Sequence, residues 1–312
     1  MAIVAGFDVH RRQITFDALD TETGEVSRGR IDATPAAVSA WVRRFEGEVK
    51  VAVEACTGWL FVCDALAAAG AEPHLAEPVE TRALRGRKRR AKTDREDARW
   101  LRELRADGRL PESWIPPEHV RQWRSRARLR HTLIDERTQW MQRIQATLFH
   151  HGVSGSPETL RSGEGREFLE RLALPADTRE RIMIALAMVD AIDARIAPLE
   201  RELRQLARRQ VGCRALMSLY GMGELTSLMT LCELGDVQRL SASRKAVRMA
   251  GIDIGVHRSD RRARVGKLNR QGSPTCAGRS MKPRSQPAGP AAPTTPATSR
   301  SRRAGSATRA RR

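Results

Sequence analysis

Val4-Ala5-Gly6-Phe7-Asp8-Val9-His10 is an apolar, strand-forming run with a single acid inside it. A charge in that setting is costly unless something positive meets it, so Asp8 reads either as a strand-end carboxylate capping a neighbouring helix or as a ligand. Working outward, the run covers residues 3–10, and residues 12–20 and 25–31 have the same character, with Thr23-Gly24 punctuating the second turn. Three consecutive strands joined this tightly are expected to form an antiparallel meander. Thr34-Pro35 then supplies an N-cap and a proline at the first helical position, after which Val38, Trp41, Val42 and Phe45 keep one apolar face. Residues 49–55 form a nearly all-apolar fourth strand, as expected of one buried on both faces. Thr57-Gly58 opens a second helix that runs through Ala69 and ends at Gly70, and residues 72–75 make a short fifth strand.

Three strands, helix, strand, helix, strand is the order of a ribonuclease H/RuvC-like mixed sheet, and by that analogy the N-terminal part is α/β. Glu54 ends the fourth strand in Val51-Ala52-Val53-Glu54-Ala55, much as Asp8 sits in the first. If those strands are neighbours, both acids emerge at one edge. Asp94 and Asp97 follow in Lys92-Thr93-Asp94-Arg95-Glu96-Asp97, at a spacing of i and i+3 that shares a helix face. Singly, each acid is more often a cap or a solvated charge. Together, four converging carboxylates repel one another, and divalent cations with a preference for oxygen resolve that repulsion. Two Mg2+ ions about 4 Å apart can activate a nucleophile and stabilise the leaving oxygen of a phosphodiester.

The 312 residues hold 56 Lys plus Arg against 37 Asp plus Glu, a formal net charge of +19, so nucleic acid is the partner to expect. Basic stretches at residues 85–90, 121–130 and 258–264 lie inside patterned segments, where they would stripe a folded surface. No apolar run approaches the ~20 residues of a membrane span, and the opening lacks a signal peptide's order of basic then apolar residues. Cys56, Cys63, Cys213, Cys232 and Cys276 form no CxxC pair and read as reduced thiols of a cytoplasmic protein.

From Pro116 the character changes. Residues 119–150 and 176–209 are long, Arg- and Glu-rich helical stretches, separated by a Gly/Ser/Pro linker at 152–165, and read as an antiparallel pair or coiled-coil arm. Residues 214–252 are a compact helical unit in which Gly221 and Gly223 flank a tight turn, a shape that lets backbone amides approach a phosphate but is more often a plain turn. After Ser273 the chain is Pro, Ala, Ser, Thr and Arg without an acid, which cannot build a core. The organisation expected is thus 1–115 catalytic, 116–210 helical linker, 211–273 a mainly α C-terminal domain, and 274–312 a disordered basic tail with the composition of GC-rich DNA read in a shifted frame.

GFDVH, AVEACTGW and KTDREDAR, in this order, resemble the motifs of the DEDD insertion-sequence transposases, the IS110 family. The resemblance runs over residues 3–273. It places the family's four metal-binding acids on Asp8, Glu54, Asp94 and Asp97 and implies Mg2+. The turn at Gly221 and Gly223 is similar to a hairpin of the family's C-terminal domain, with Tyr220 where proline is usual. The segment GIDIGVHRSDRRARVGKLNRQGSP is similar to the block that carries the family's serine nucleophile. Ser259 is the candidate, with Arg258 in place of the usual second serine and Ser273 as the alternative. Arg258, Arg261, Arg262 and Arg264 would absorb charge on the phosphate, and these arginines with Lys267, Gly221 and Gly223 are the candidate nucleic-acid-binding residues. The resemblance further implies element-end and target DNA, a structured guide RNA, and a homo-oligomer in which the serine completes a partner subunit's metal domain. Two other classes fit the residues alone: a non-catalytic nucleic-acid-binding remnant, and a structure-specific nuclease using only the metal domain.

Overall fold

Alternation along the opening strand sorts its side chains onto two faces, and this decides what packs where. In the computed structural model, which describes residues 2–86, 93–153, 160–259, 262–268 and 272, the chain divides into two compact units, Met1–Pro116 and Pro117–Arg312. Several expectations, namely those for residues 87–90, Arg261, Ser273, Cys276 and the tail 274–312, lie outside the described residues.

The first unit contains β1 (Ala2–Val9), β2 (Gln13–Asp20), β3 (Val26–Asp32), α1 (Pro35–Val42), β4 (Glu48–Glu54), α2 (Trp59–Ala68), β5 (Glu72–Ala76), α3 (Pro78–Ala83), α4 (Asp94–Ala106) and β6 (Glu112–Ser113). The six strands form one sheet in the order β3-β2-β1-β4-β5-β6. The meander β1-β2-β3 is antiparallel, whereas β4 runs parallel to β1 and β5 parallel to β4. This is the mixed sheet of the ribonuclease H-like fold.

One face of the sheet carries Ile3, Ala5 and Phe7 of β1, Ile14 and Phe16 of β2, and Val49, Val51 and Val53 of β4, all buried beneath α1 and α2. Trp41 of α1 packs edge-on against Phe7 and Phe16, with ring centroids 4.8 and 5.5 Å apart. Each of the buried Val, Ile and Phe side chains contributes about 1.5–3 kcal/mol, so this face is the unit's anchor. α1 begins as its sequence suggests, with Thr34 accepting a hydrogen bond from the Ala37 amide and Pro35 at the first position. The opposite face presents Gly6, Ala52 and Ala76, and there α4 lies with Leu101 packed on Ala52 and Ala76. Small residues on this side let a helix lie directly on the strands.

The second unit is built on α5 (Glu118–His150), α6 (Gly163–Arg171) and α7 (Ala176–Arg209). Arg126 meets Glu202, Arg130 meets Glu200, Arg137 meets Asp193 and His151 meets Thr178. Partner numbers fall on one helix as they rise on the other, so α5 and α7 are antiparallel. The segment read as a linker contains the start of α6, whose N-cap Ser162 accepts from the Gly165 amide at 3.1 Å. Leu169 of that helix joins Ile144, Leu148 and Ile182 in a core.

Three short helices follow: α8 (Val211–Met217), α9 (Glu224–Leu234) and α10 (Ser243–Met249). An antiparallel hairpin of β7 (Ile254–Ser259) and β8 (Arg262–Leu268) comes next. The Arg-rich segment thus contributes paired strands to a domain expected to be mainly α. Its arginines hide the alternation of apolar residues that would have signalled a hairpin. Gly272 lies against the end of α10, where a Cβ would come 2.2 Å from the Ala250 carbonyl carbon, a spacing that only glycine fits. Among the described residues no helix is long and apolar enough to cross a membrane.

Candidate metal centre and nucleic-acid-binding residues

Gly6 sets the position of the site. Built at Gly6, a Cβ would stand 2.0 Å from the Ala98 carbonyl oxygen and 2.6 Å from the Arg102 amide nitrogen. The absent side chain lets the backbone of α4 approach β1 closely. α4 is held in place by the buried pair of Arg102 with Asp17 on β2, and Asp17 also takes Arg28 at 2.6 Å. Asp17 is the register partner of Gly6, so the ion pair and the close approach act at the same level of the sheet.

α4 begins with a capping arrangement in which the Thr93 hydroxyl accepts from the Glu96 amide at 3.3 Å. The cap starts the helix one residue before Asp94. Asp94 and Asp97 thus fall in the first turn, where the helix dipole favours negative charge. Asp8 stands two residues beyond Gly6 on β1 and shares its face. Phe7 is in register with Val53, which puts Asp8 and Glu54 side by side as the parallel strands end.

These placements bring carboxylates together. Asp8, Glu54 and Asp97 line one cavity of about 200 Å3 with His10, Arg82 and Arg85. Asp94 reaches the same cluster through His10, whose Nε2 is 3.1 Å from Asp8 Oδ2 and 3.4 Å from Asp94 Oδ1. Asp8 is buried, at 7 % exposure. Burial pushes its carboxyl above the usual range; His10 offsets part of this, while Asp97 and Asp94 push it further up. Asp97 Oδ1 is also buried. The Arg85 Nη1, at 2.5 Å, meets it as an ion pair. An oxygen-rich donor set in which one buried carboxyl is destabilised by its like-charged neighbours fits a hard divalent cation.

The other residues singled out lie in the second unit. Gly221 has φ +81°, a left-handed conformation that glycine accommodates, and Gly223 is the N-cap of α9 with no side chain to satisfy the first amides. Tyr220, on the same turn, is almost fully exposed. Ser259 is the last residue of β7 and pairs with Arg262, while Arg258 pairs with Ala263 and His257 with Arg264. Lys267 lies on β8.

In the stretch 121–130 Arg126 and Arg128 are exposed on the surface, and several arginines also have acidic or carbonyl partners. Arg128 makes a two-pronged contact with Glu233, at 2.8 Å to each oxygen. Arg124 donates to the carbonyls of Cys232 and Glu233 at 2.6 and 3.0 Å, satisfying acceptors that the end of α9 leaves open. These two arginines fasten α5 to α9, while Arg126 and Arg130 pair with Glu202 and Glu200 of α7. Glu233 itself is 5 % exposed, and sequence proximity gives no hint of a partner 105 residues away.

The sequence model for DEDD transposases of the IS110 type, described as a transposase, matches residues 5–151, and one described as "Transposase IS116/IS110/IS902 family" matches residues 213–276. The chain belongs to the IS110 family of transposases. No curated protein matches it. As a transposase of this family it is a DNA transposase or recombinase whose substrates are DNA, and the family implies a divalent metal at an acidic cluster of the kind seen around Asp8. In this transposase the sequence reading missed His10, Arg85 and the pair Asp17–Arg102. His10 follows Asp8 by two residues, the strand repeat that keeps side chains on one face, and this was the available signal. Arg85 and Arg102 carried none, since each is one arginine among many.

Proposed function

We propose that this transposase cleaves and exchanges DNA strands with Mg2+ held by Asp8, Glu54, Asp94 and Asp97, through a serine nucleophile at Ser259, guided by a structured RNA. The observation that carries the reading is the convergence of Asp8, Asp94 and Asp97 around His10, with Glu54 in the same cavity. Bound there, the metal would supply positive charge that favours the alkoxide form of an attacking hydroxyl and stabilises the departing oxygen. The chain's own groups do the rest. Asp8, at the end of a strand anchored by its apolar face, holds its carboxylate rigidly. The Ser259 hydroxyl loses its proton as its Oγ–P bond forms, and the P–O bond to the leaving deoxyribose oxygen breaks, that oxygen taking up a proton. Arg258, Arg261, Arg262 and Arg264 neutralise the phosphate, and Lys267 with the amides beside Gly221 and Gly223 holds flanking nucleic acid.

The net charge of +19 supports RNA as well as DNA as partner, and predicts affinity that falls about 10³-fold or more between low and moderate salt if many phosphates are contacted. The test is a Mg2+-dependent assay for a covalent protein–DNA adduct, using purified protein, element-end DNA and the flanking non-coding transcript. An adduct that is lost in Asp8→Ala and in Ser259→Ala is expected. Cleavage that survives Ser259→Ala without an adduct would instead mean a nuclease using the metal domain alone. A folded wild-type protein giving neither cleavage nor adduct would mean a binding remnant.

A further inference from the structure

We propose that His10 is a nitrogen ligand of the metal centre, joining Asp8 and Asp94, and that it tilts the site from Mg2+ toward Mn2+. The inference rests on the carboxylates binding a divalent cation.

Three observations carry it. A single ring nitrogen, Nε2, faces both carboxylates, at 3.1 Å from Asp8 Oδ2 and 3.4 Å from Asp94 Oδ1. One N–H points along one line and makes one good hydrogen bond, so a ring nitrogen set between two carboxylates is poorly used as a donor. As a ligand it is well placed. An octahedral ion with bonds of about 2.1 Å has neighbouring ligands about 3.0 Å apart, and the two separations at Nε2 approach that edge. The third ligand atom completes a triangle in which all three lie within 4.8 Å of one another.

The second observation is where His10 sits. It follows the last residue of β1, and its backbone amide donates to the Gln13 carbonyl at 2.9 Å, which fixes the turn into β2. The imidazole is therefore presented by a hydrogen-bonded turn at the end of the strand that carries Asp8. Third, its side chain is half exposed, whereas that of Asp8 is 10 % exposed. A group bridging the buried acid to the open side of the cluster is where a cation would enter.

The consequence is chemical. All-oxygen sites suit Mg2+, Ca2+ and Mn2+, while imidazole adds affinity for the later transition metals and helps Mn2+ more than Mg2+. A His10 that served only as counter-charge would compete with the cation, and its removal would leave Mn2+ affinity equal or higher. A His10 that ligates predicts the reverse, a loss of Mn2+ affinity of about 10–100-fold, as for other changes close to a bound metal, with a smaller change for Mg2+.

The test uses the full chain with Mn2+ alone, comparing wild type, His10→Ala, His10→Gln and Asp8→Asn by calorimetric titration and by pulsed electron paramagnetic resonance. Nitrogen modulation of the bound Mn2+ signal in wild type, absent in both His10 variants, is expected, together with the loss of Mn2+ preference. Thermal melting of the metal-free variants checks that they fold. Bound Mn2+ without nitrogen modulation, or modulation that survives in His10→Ala, overturns the inference and leaves the carboxylate site standing. Wild-type Mn2+ binding that is absent, or unchanged in Asp8→Asn, overturns the carboxylate site itself and the inference with it.

Discussion

Replacing Gly6 by alanine tests the physical claim from which the geometry of the metal centre follows. The added Cβ would sit 2.0 Å from the Ala98 carbonyl oxygen, where ordinary contact begins at 3.4 Å, so α4 must retreat by about 1.4 Å. The obstacle is backbone on both sides and cannot rotate away. Overpacking costs about 1–3 kcal/mol, occasionally more, and with no side chain able to yield we expect the upper end, about 3 kcal/mol. For a unit of this size that lowers the melting temperature by about 10 °C. The retreat also carries Asp94 and Asp97 away from Asp8, and metal sites tolerate ligand displacements of only about 0.2 Å. Mn2+ affinity should therefore fall by more than about 10-fold, in line with losses for changes beside a metal. Scanning calorimetry of the metal-free protein and Mn2+ titration calorimetry measure the two effects. Gly163→Ala, where a Cβ meets nothing within 4 Å, is the control. If Gly6→Ala melts within about 2 °C of wild type and binds Mn2+ as tightly, the close approach does not position the site and the argument fails.

Three further outcomes follow from particular contacts. Asp17→Ala leaves the Arg102 guanidinium buried without its acid and should cost about 3–5 kcal/mol in urea unfolding, most of it recovered in an Asp17→Leu/Arg102→Met double variant; a loss below about 1 kcal/mol would show that the pair does not hold α4. Asp8 has a folded-state pKa raised from 3.8, so the native state holds that proton more tightly than the unfolded chain, and stability is lost as pH rises through the interval between the two values. Metal-free Asp8→Asn should accordingly be more stable than wild type at pH 7, with the difference closing as pH falls through that interval, while Mn2+ stabilises wild type alone; a difference that stays constant from neutral to acid pH would contradict the desolvation argument. Burial pushes the Cys213 thiol up to about 11 and the Cys232 thiol up to about 12, and because the thiolate is the reactive form, neither should be alkylated at pH 8 until the protein unfolds. Cys56, which is partly exposed, should react in the native state; mass spectrometry of the labelled peptides distinguishes them.

Much of the first unit was legible in the sequence, because strands and caps announce themselves locally. The alternation of Ile3, Ala5 and Phe7 against Val4, Gly6 and Asp8 has the two-residue period of a strand, and it survives as the two faces of β1. Thr34-Pro35 and Thr93 with Glu96 are capping signals that need no tertiary partner, and both start helices where they stand. The order of elements pointed by analogy to a mixed sheet, whereas the adjacency of β1 and β4, on which the meeting of Asp8 and Glu54 depends, came from the fold. The i, i+3 spacing of Asp94 and Asp97 was likewise readable before any packing was known.

What only the tertiary structure decided were pairings between distant residues. Asp17 meets Arg102 across 85 positions and Arg128 meets Glu233 across 105, and no periodicity links them. The same holds for Arg85, whose neighbours in sequence give it no distinction from the arginines around it. Gly6 looked like one small residue in a strand; its importance lies in the helix backbone that crosses over it. The hairpin of β7 and β8 was hidden because its stability depends on cross-strand partners, while its composition is that of a basic loop. Sequence alone thus supplied the elements and the acids, since period, cap and charge are properties of neighbours along the chain. Folding supplied the site, since the distance between two carboxylates depends on how closely a helix can lie against a strand.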